Sequence, residues 1–165
     1  MRVWKDQKGF SLFELVVVIG IVGILAGIAL GLIGQIQFYN IEKTAKYLSD
    51  ALTKQQMKSM SKEKKPYLYV YEINGTYYYS LSEETTYNPS TMGTKGKEIG
   101  AGMTIKYCNT DGSEHEISGS DILQISYKKD GTFQSCPKWI NISTSKGQRI
   151  IKLNQKTGRH VVTNN

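Results

Sequence analysis

One carboxylate stands where a carboxylate is expensive. In Lys8-Gly9-Phe10-Ser11-Leu12-Phe13-Glu14-Leu15, Glu14 is the only charged residue between Gly9 and Glu42, and it opens an apolar run from Leu15 to Gly34. An ion at the start of such a run is costly unless it sits at an interface or meets an opposite charge. The other residues with chemistry in them are scattered. His115 and His160 are isolated, and Cys108 and Cys136 lie in no CxxC and at no metal-ligand spacing from a histidine. Outside the cytoplasm the two cysteines would be a disulfide pair; otherwise they are two small buried residues. Asn109, Asp111, Ser113 and Glu114 have the composition of a calcium loop without its full ligand spacing. A polar turn is the simpler reading. Nucleophile-elbow, zinc-protease and P-loop motifs are absent. No catalytic, metal-ligating or cofactor-binding set is expected, and no enzyme.

The elements around these residues divide the chain sharply. Its 165 residues suit one domain and at most two. The mean hydropathy of −0.36 averages an apolar N-terminal stretch and a polar remainder. Arg2, Lys5 and Lys8 precede the apolar run with only Asp6 against them, a bias that places the N-terminus in the cytoplasm. The run from Leu15 to Gly34 matches the roughly 20 residues that a helix needs to span a bilayer core. It is too long for a secretory signal peptide, and its small residues Ala26 and Ala29 lie in mid-span. Gly20, Gly23, Gly27, Gly31 and Gly34 recur at helical spacing along one face, which lets helices approach closely. The net charge is +7, with one cluster at Lys58, Lys62, Lys64 and Lys65. Such a cluster is a solvated face or, alternatively, a nucleic-acid contact.

Lys8 to Leu15, KGFSLFEL, resembles the class III signal of type IV pilins and pseudopilins. The resemblance implies an aspartic prepilin peptidase cutting between Gly9 and Phe10. It also implies an N-methylated Phe10 and Glu14 as the family's glutamate, important for assembly. A new amino group at Phe10 lies one helical turn from Glu14. In a filament the amine of one subunit can approach the glutamate of its neighbour, and buried charges are tolerable when so paired.

From Gln35 to about Ser61 the pattern becomes an amphipathic helix, with Ile41, Ala45, Leu48 and Leu52 on one stripe. Pro66 suits a helix end near Lys62. Tyr67–Ile73 and Thr76–Leu81 read as a hairpin around Asn74-Gly75. The eleven tyrosines fit half-exposed strands. Ser82 to Gly102 reads as a long surface loop. Further strands are expected at Met103–Tyr107, Glu114–Ile117, Ile122–Tyr127, Trp139–Ser143, Gln148–Leu153 and Arg159–Val162. The fold class is α+β and pilin-like: a long N-terminal helix packed on a C-terminal antiparallel β-sheet head. Its parts are a leader at 1–9, the helix at 10–62 with its membrane segment at 15–34, and the head at 63–165.

Ile125-Ser126-Tyr127, Asp130-Gly131-Thr132, Gly147, Ile150 to Leu153 and Thr157-Gly158-Arg159 are similar to the C-terminal part of GspH/FimT-type pseudopilins. The implied function is that of a minor pilin or pseudopilin, a subunit of a type II secretion, type IV pilus or competence filament. The chain would cross the cytoplasmic membrane once, with a cytoplasmic leader and an extracytoplasmic head. Its partners would be other pilins, the prepilin peptidase and the membrane. The alternative is a DNA receptor. Some FimT-like relatives use a Gly-Arg-x-Arg stretch for this; here Gly158-Arg159-His160-Val161 lacks the second Arg. Lys152, Lys156 and Arg159 would contact phosphates, or else form a basic edge that discourages aggregation.

Overall fold

The computed structural model describes residues 11–61, 65–87, 96–119 and 121–164, and within the helix the side chains of 29–34 fall outside the description. Among the described residues, one helix, α1 (Leu12–Ser61), is followed by ten strands. They are β1 (Tyr67–Ile73), β2 (Thr76–Ser82), β3 (Lys97–Ala101), β4 (Thr104–Cys108), β5 (Glu114–Glu116), β6 (Leu123–Tyr127), β7 (Phe133–Ser135), β8 (Trp139–Thr144), β9 (Gly147–Leu153) and β10 (His160–Asn164). The chain forms two compact units, Met1–Ile36 and Gln37–Asn165. In the first, consecutive residues Leu15, Val16, Val17 and Val18 are all exposed, so the helix is apolar around its whole circumference. Positions Gly20, Gly23 and Gly27 face open space.

The second unit is an α+β head whose antiparallel strands are divided into two five-stranded sheets. Sheet 1 has the order β3-β2-β1-β6-β7 and sheet 2 the order β10-β9-β8-β4-β5. The expected stripe of Ile41, Ala45, Leu48 and Leu52 is buried, and it meets Leu68, Val70 and Ile125 of sheet 1 and Ile105, Ile140, Ile142 and Ile151 of sheet 2 in one core. Strand alternation puts these residues on the helix-facing side of each sheet. At roughly 1.5–3 kcal/mol per buried aliphatic side chain, this layer is what holds both sheets to one helix. Lys43, Lys46, Asp50, Lys54 and Lys58 point to solvent, Lys65 is half-buried, and Lys62 and Lys64 lie outside the described residues.

Asn74 (φ 53°) and Gly75 (φ 79°) form the expected hairpin turn, closing the Ile73–Thr76 pair. The other strands fall within a few residues of expectation. Two corrections concern strands that the sequence pattern hides. Lys97–Ala101, expected inside a loop, is β3 and pairs with β2. Residues 88–95 of that expected loop lie outside the described set. Phe133–Ser135, where no strand was expected, is β7 and pairs with β6. Tyr87 packs on Tyr69 and Tyr71, with ring centroids 5.9 and 4.9 Å apart. This small second core on the outer face of sheet 1 accounts for much of the tyrosine content. Burial pushes the hydroxyls of both Tyr69 and Tyr71 up to about 12.

Candidate functional site

The first candidate site is the start of α1. Gly9 and Phe10 lie outside the described residues; Glu14 lies within them. Its carboxylate accepts the Ser11 N–H at 3.1 Å, while the Phe13 N–H donates to Ser11 Oγ at 3.2 Å. This is a capping box. Ser11-x-x-Glu14 is its plain sequence signature, a signal that the reading of Glu14 as a charge at the start of a span leaves unused. The helix N-terminus also favours a negative charge. Glu14 therefore has a partner within its own chain. Leu12 (82% exposed) and Phe13 (75%) precede it, and from Leu15 to Ile28 the described side chains show solvent an unbroken apolar surface. Among the described residues, no helix is long and apolar enough to cross a membrane. The apolar run of the sequence continues into 29–34, whose side chains are not described.

The second candidate is the outer side of sheet 2 and the β9–β10 turn. The structure brings Lys152, Lys156 and Arg159 to one open cleft and adds Lys138, which sequence spacing could not place there. Among the described residues, no acidic one lines that cleft. The turn itself is fixed from behind. Gln56 Nε2 donates to Gly131 O at 2.8 Å and to Gly158 O at 3.4 Å, which binds the Asp130-Gly131 and Thr157-Gly158 turns to the helix. Both turns carried the resemblance noted above, and Gln56 is what joins them. Gln55, its neighbour, donates to Pro66 O and Ile125 O at 3.0 and 2.6 Å.

A third group has the outward form of a hydrolase site. His115 Nδ1 lies 3.2 Å from Asp121 Oδ2, and its Nε2 lies 3.2 Å from Ser113 Oγ. The Ser113 hydroxyl, however, donates to Asp111 Oδ1 at 2.6 Å. A nucleophilic serine needs to give its proton to the imidazole, and donors rather than a carboxylate must face the developing oxyanion. Asp111 also accepts the Ser113 N–H, and these two bonds, the hydroxyl's first, lower its pKa. The arrangement closes a polar turn, as its composition suggested. Among the described residues, no group of histidine, cysteine and carboxylate side chains is placed to hold a metal ion. Cys108 and Cys136 are both buried free thiols, and burial pushes Cys136 up to about 11.

Two further contacts tie sheet 2 to the helix. Arg149 lies on the helix-facing side, 4.5 Å over the Phe38 ring, and donates to Glu42 Oε1 at 2.6 Å. His160 Nε2 lies 2.9 Å from Ser49 Oγ. Burial holds His160 below its ordinary value of 6.5, with the Ser49 contact opposing. The unfolded chain therefore binds this proton more readily. His160 contributes fully above about pH 6.5, and its contribution falls as the pH drops below that value. The expected result is a melting temperature that declines between pH 7 and pH 5, with a smaller decline in His160→Gln. Asp111 and Asp130, lowered by their Ser113 and Thr132 hydrogen bonds, add their own loss only further down, below about pH 4.

No curated protein and no solved structure matches the chain. Residues 4–30 match the family model of the prokaryotic N-terminal methylation motif, so that the Glu14-capped helix start and the apolar run behind it carry the signature of a type IV pilin-like precursor.

Proposed function

We propose that the chain is a minor pilin or pseudopilin of the GspH/FimT type, a structural subunit of a secretion, pilus or DNA-uptake filament. The observation that carries this reading is the helix start. A methylation motif at 4–30 leads into a helix that exposes apolar side chains on every face, and the same helix continues into the core of a β-rich head. Such a surface is stable only in lipid or against other helices. In this reading prepilin peptidase cuts between Gly9 and Phe10, Phe10 is N-methylated, and the helix crosses the cytoplasmic membrane once before the subunit joins a filament. Mass spectrometry of the protein from its native membrane should find N-methylated Phe10 at the N-terminus. Gly9→Trp should retain the whole leader, because a bulky residue cannot enter the peptidase site at the junction. Normal maturation of that variant would overturn the reading.

A second reading, a DNA receptor, is favoured by the cleft of Lys138, Lys152, Lys156 and Arg159, whose described lining includes no acidic residue. Duplex DNA titrated into the full chain in detergent should then bind regardless of sequence. Neutralising two phosphate contacts with Lys156→Ala/Arg159→Ala should flatten the salt dependence by roughly two units of log–log slope. No binding at low salt removes this reading and leaves the first intact.

A further inference from the structure

Among the described residues the head has four edge strands, and the two of sheet 1 are protected against pairing with another chain. β3 carries Lys97 and Glu98 and faces a bulge at Tyr77/Tyr78. β7 spans only Phe133–Ser135, beside a bulge at Ser126/Tyr127. In sheet 2, β5 spans Glu114–Glu116, and its two glutamates repel an acidic edge while suiting a basic one. β10 has none of these devices. Its residues His160–Asn164 include no acidic, Lys, Arg or Pro residue, its register with β9 is unbroken, and Val161 and Val162 are 58% and 40% exposed. Natural sheets seldom leave such an edge free.

The two edges of sheet 2 are matched. Its five strands are antiparallel throughout, so β10 and β5 run in the same direction. Copies related by simple repetition would therefore meet with β10 parallel to the next β5. The Asn154 N–H donates to Arg159 O. The alternation of an antiparallel ladder then turns the free N–H and C=O groups of His160, Val162 and Asn164 outward. These residues lie on the helix-facing side, like their register partners Leu153, Ile151 and Arg149. At the other edge the Ile117 N–H donates to Ile105 O. The outward backbone groups there belong to Glu114 and Glu116, on the opposite face with Lys106. A parallel ladder needs this relation, in which the outward residues of the two strands lie on opposite faces and interleave. The charges agree as well. Glu114 and Glu116 would come to the face that carries Val161, Thr163 and, just before them, the exposed Arg159.

We propose that β10 of one copy pairs in parallel with β5 of a second copy, extending sheet 2 from head to head, with Arg159 facing Glu114 or Glu116. A contact between two different surfaces of the same chain propagates as an open, polar array unless its rotation closes a ring. The proposal is independent of leader processing, which the N-terminal mass measurement reads separately.

The test is cysteine cross-linking of the full chain, in membranes and in detergent, with a short bis-maleimide. A chain carrying both Val161→Cys and Glu114→Cys should give a ladder of multimers, and a mixture of the two single variants should give dimers alone. Each single variant by itself should give neither. Val162→Pro removes an outward N–H that the head does not use. It should keep the parent's melting temperature within a few degrees and lose the ladder. In the double-cysteine chain Glu116→Lys should abolish cross-linking, and adding Arg159→Glu should restore it. Homodimers of the Val161→Cys variant alone would overturn the proposal in favour of β10–β10 pairing. No ladder from the double variant, or capture only of a different protein at β10, would also overturn it.

Discussion

Gly158→Ala should lower the stability of the head by about 3 kcal/mol, the sum of two effects. Gly158 has φ +68°, a conformation that costs an L residue about 1–2 kcal/mol. A Cβ there would also lie 1.9 Å from Gly131 O and 2.9 Å from Gln56 Nε2. The first of these is backbone and cannot swing away, so relief requires the two turns to part, at about 1–3 kcal/mol for an overpacked site. The melting temperature should fall by roughly 10 °C for a domain of this size. Gly112→Ala is the control: it has φ +95° and open space around it, so only the conformational cost applies. Thermal melts of the two variants beside the parent read the difference. Equal losses would mean that the contact between the turns contributes nothing.

The larger functional effect is expected at Glu14, where two roles overlap. A capping box accepts Gln as well as Glu. Glu14→Gln therefore keeps the helix start and removes the charge, whereas Glu14→Val removes both. On the proposed assembly role, both variants reach the membrane, and both are depleted from filaments relative to co-expressed parent. The depletion should be roughly a hundredfold or more, since removing one partner of a buried ion pair costs about 3–5 kcal/mol. If capping were the whole role of the carboxylate, Glu14→Gln would assemble like the parent and only Glu14→Val would fail. Quantifying variant and parent in sheared filaments, against the same ratio in membranes, separates the two.

What the sequence disclosed were the features with local causes. The stripe of Ile41, Ala45, Leu48 and Leu52 repeats at helical spacing, and Asn74-Gly75 demands a tight turn whatever surrounds it. What stayed hidden depends on distant partners. β3 has a single buried side chain, Ile99, and exists as a strand because β2 lies beside it. The division into two sheets follows from the β1–β6 and β4–β8 pairings, which no local pattern announces. At the sites, Lys152, Lys156 and Arg159 were visible as sequence neighbours, but Lys138 reaches their cleft only through the fold. Gln56 meets Gly131 and Gly158 across 75 and 102 positions, and Arg149 meets Glu42 across 107. The capping box at Ser11 and Glu14 is the exception, since its signature is four residues long and fully legible.

The two sheets share no ladder among the described residues, yet each is bonded to the same helix. Thr44 donates to Ile99 O and Gln55 to Ile125 O in sheet 1, while Ser49 meets His160 and Glu42 meets Arg149 in sheet 2. The helix segment from Glu42 to Gln55 is thus a spar with attachments to both sheets. A tensile load along its axis enters both sheets in parallel, as shear on several bonds and a packed layer at once. It does not peel them away one at a time.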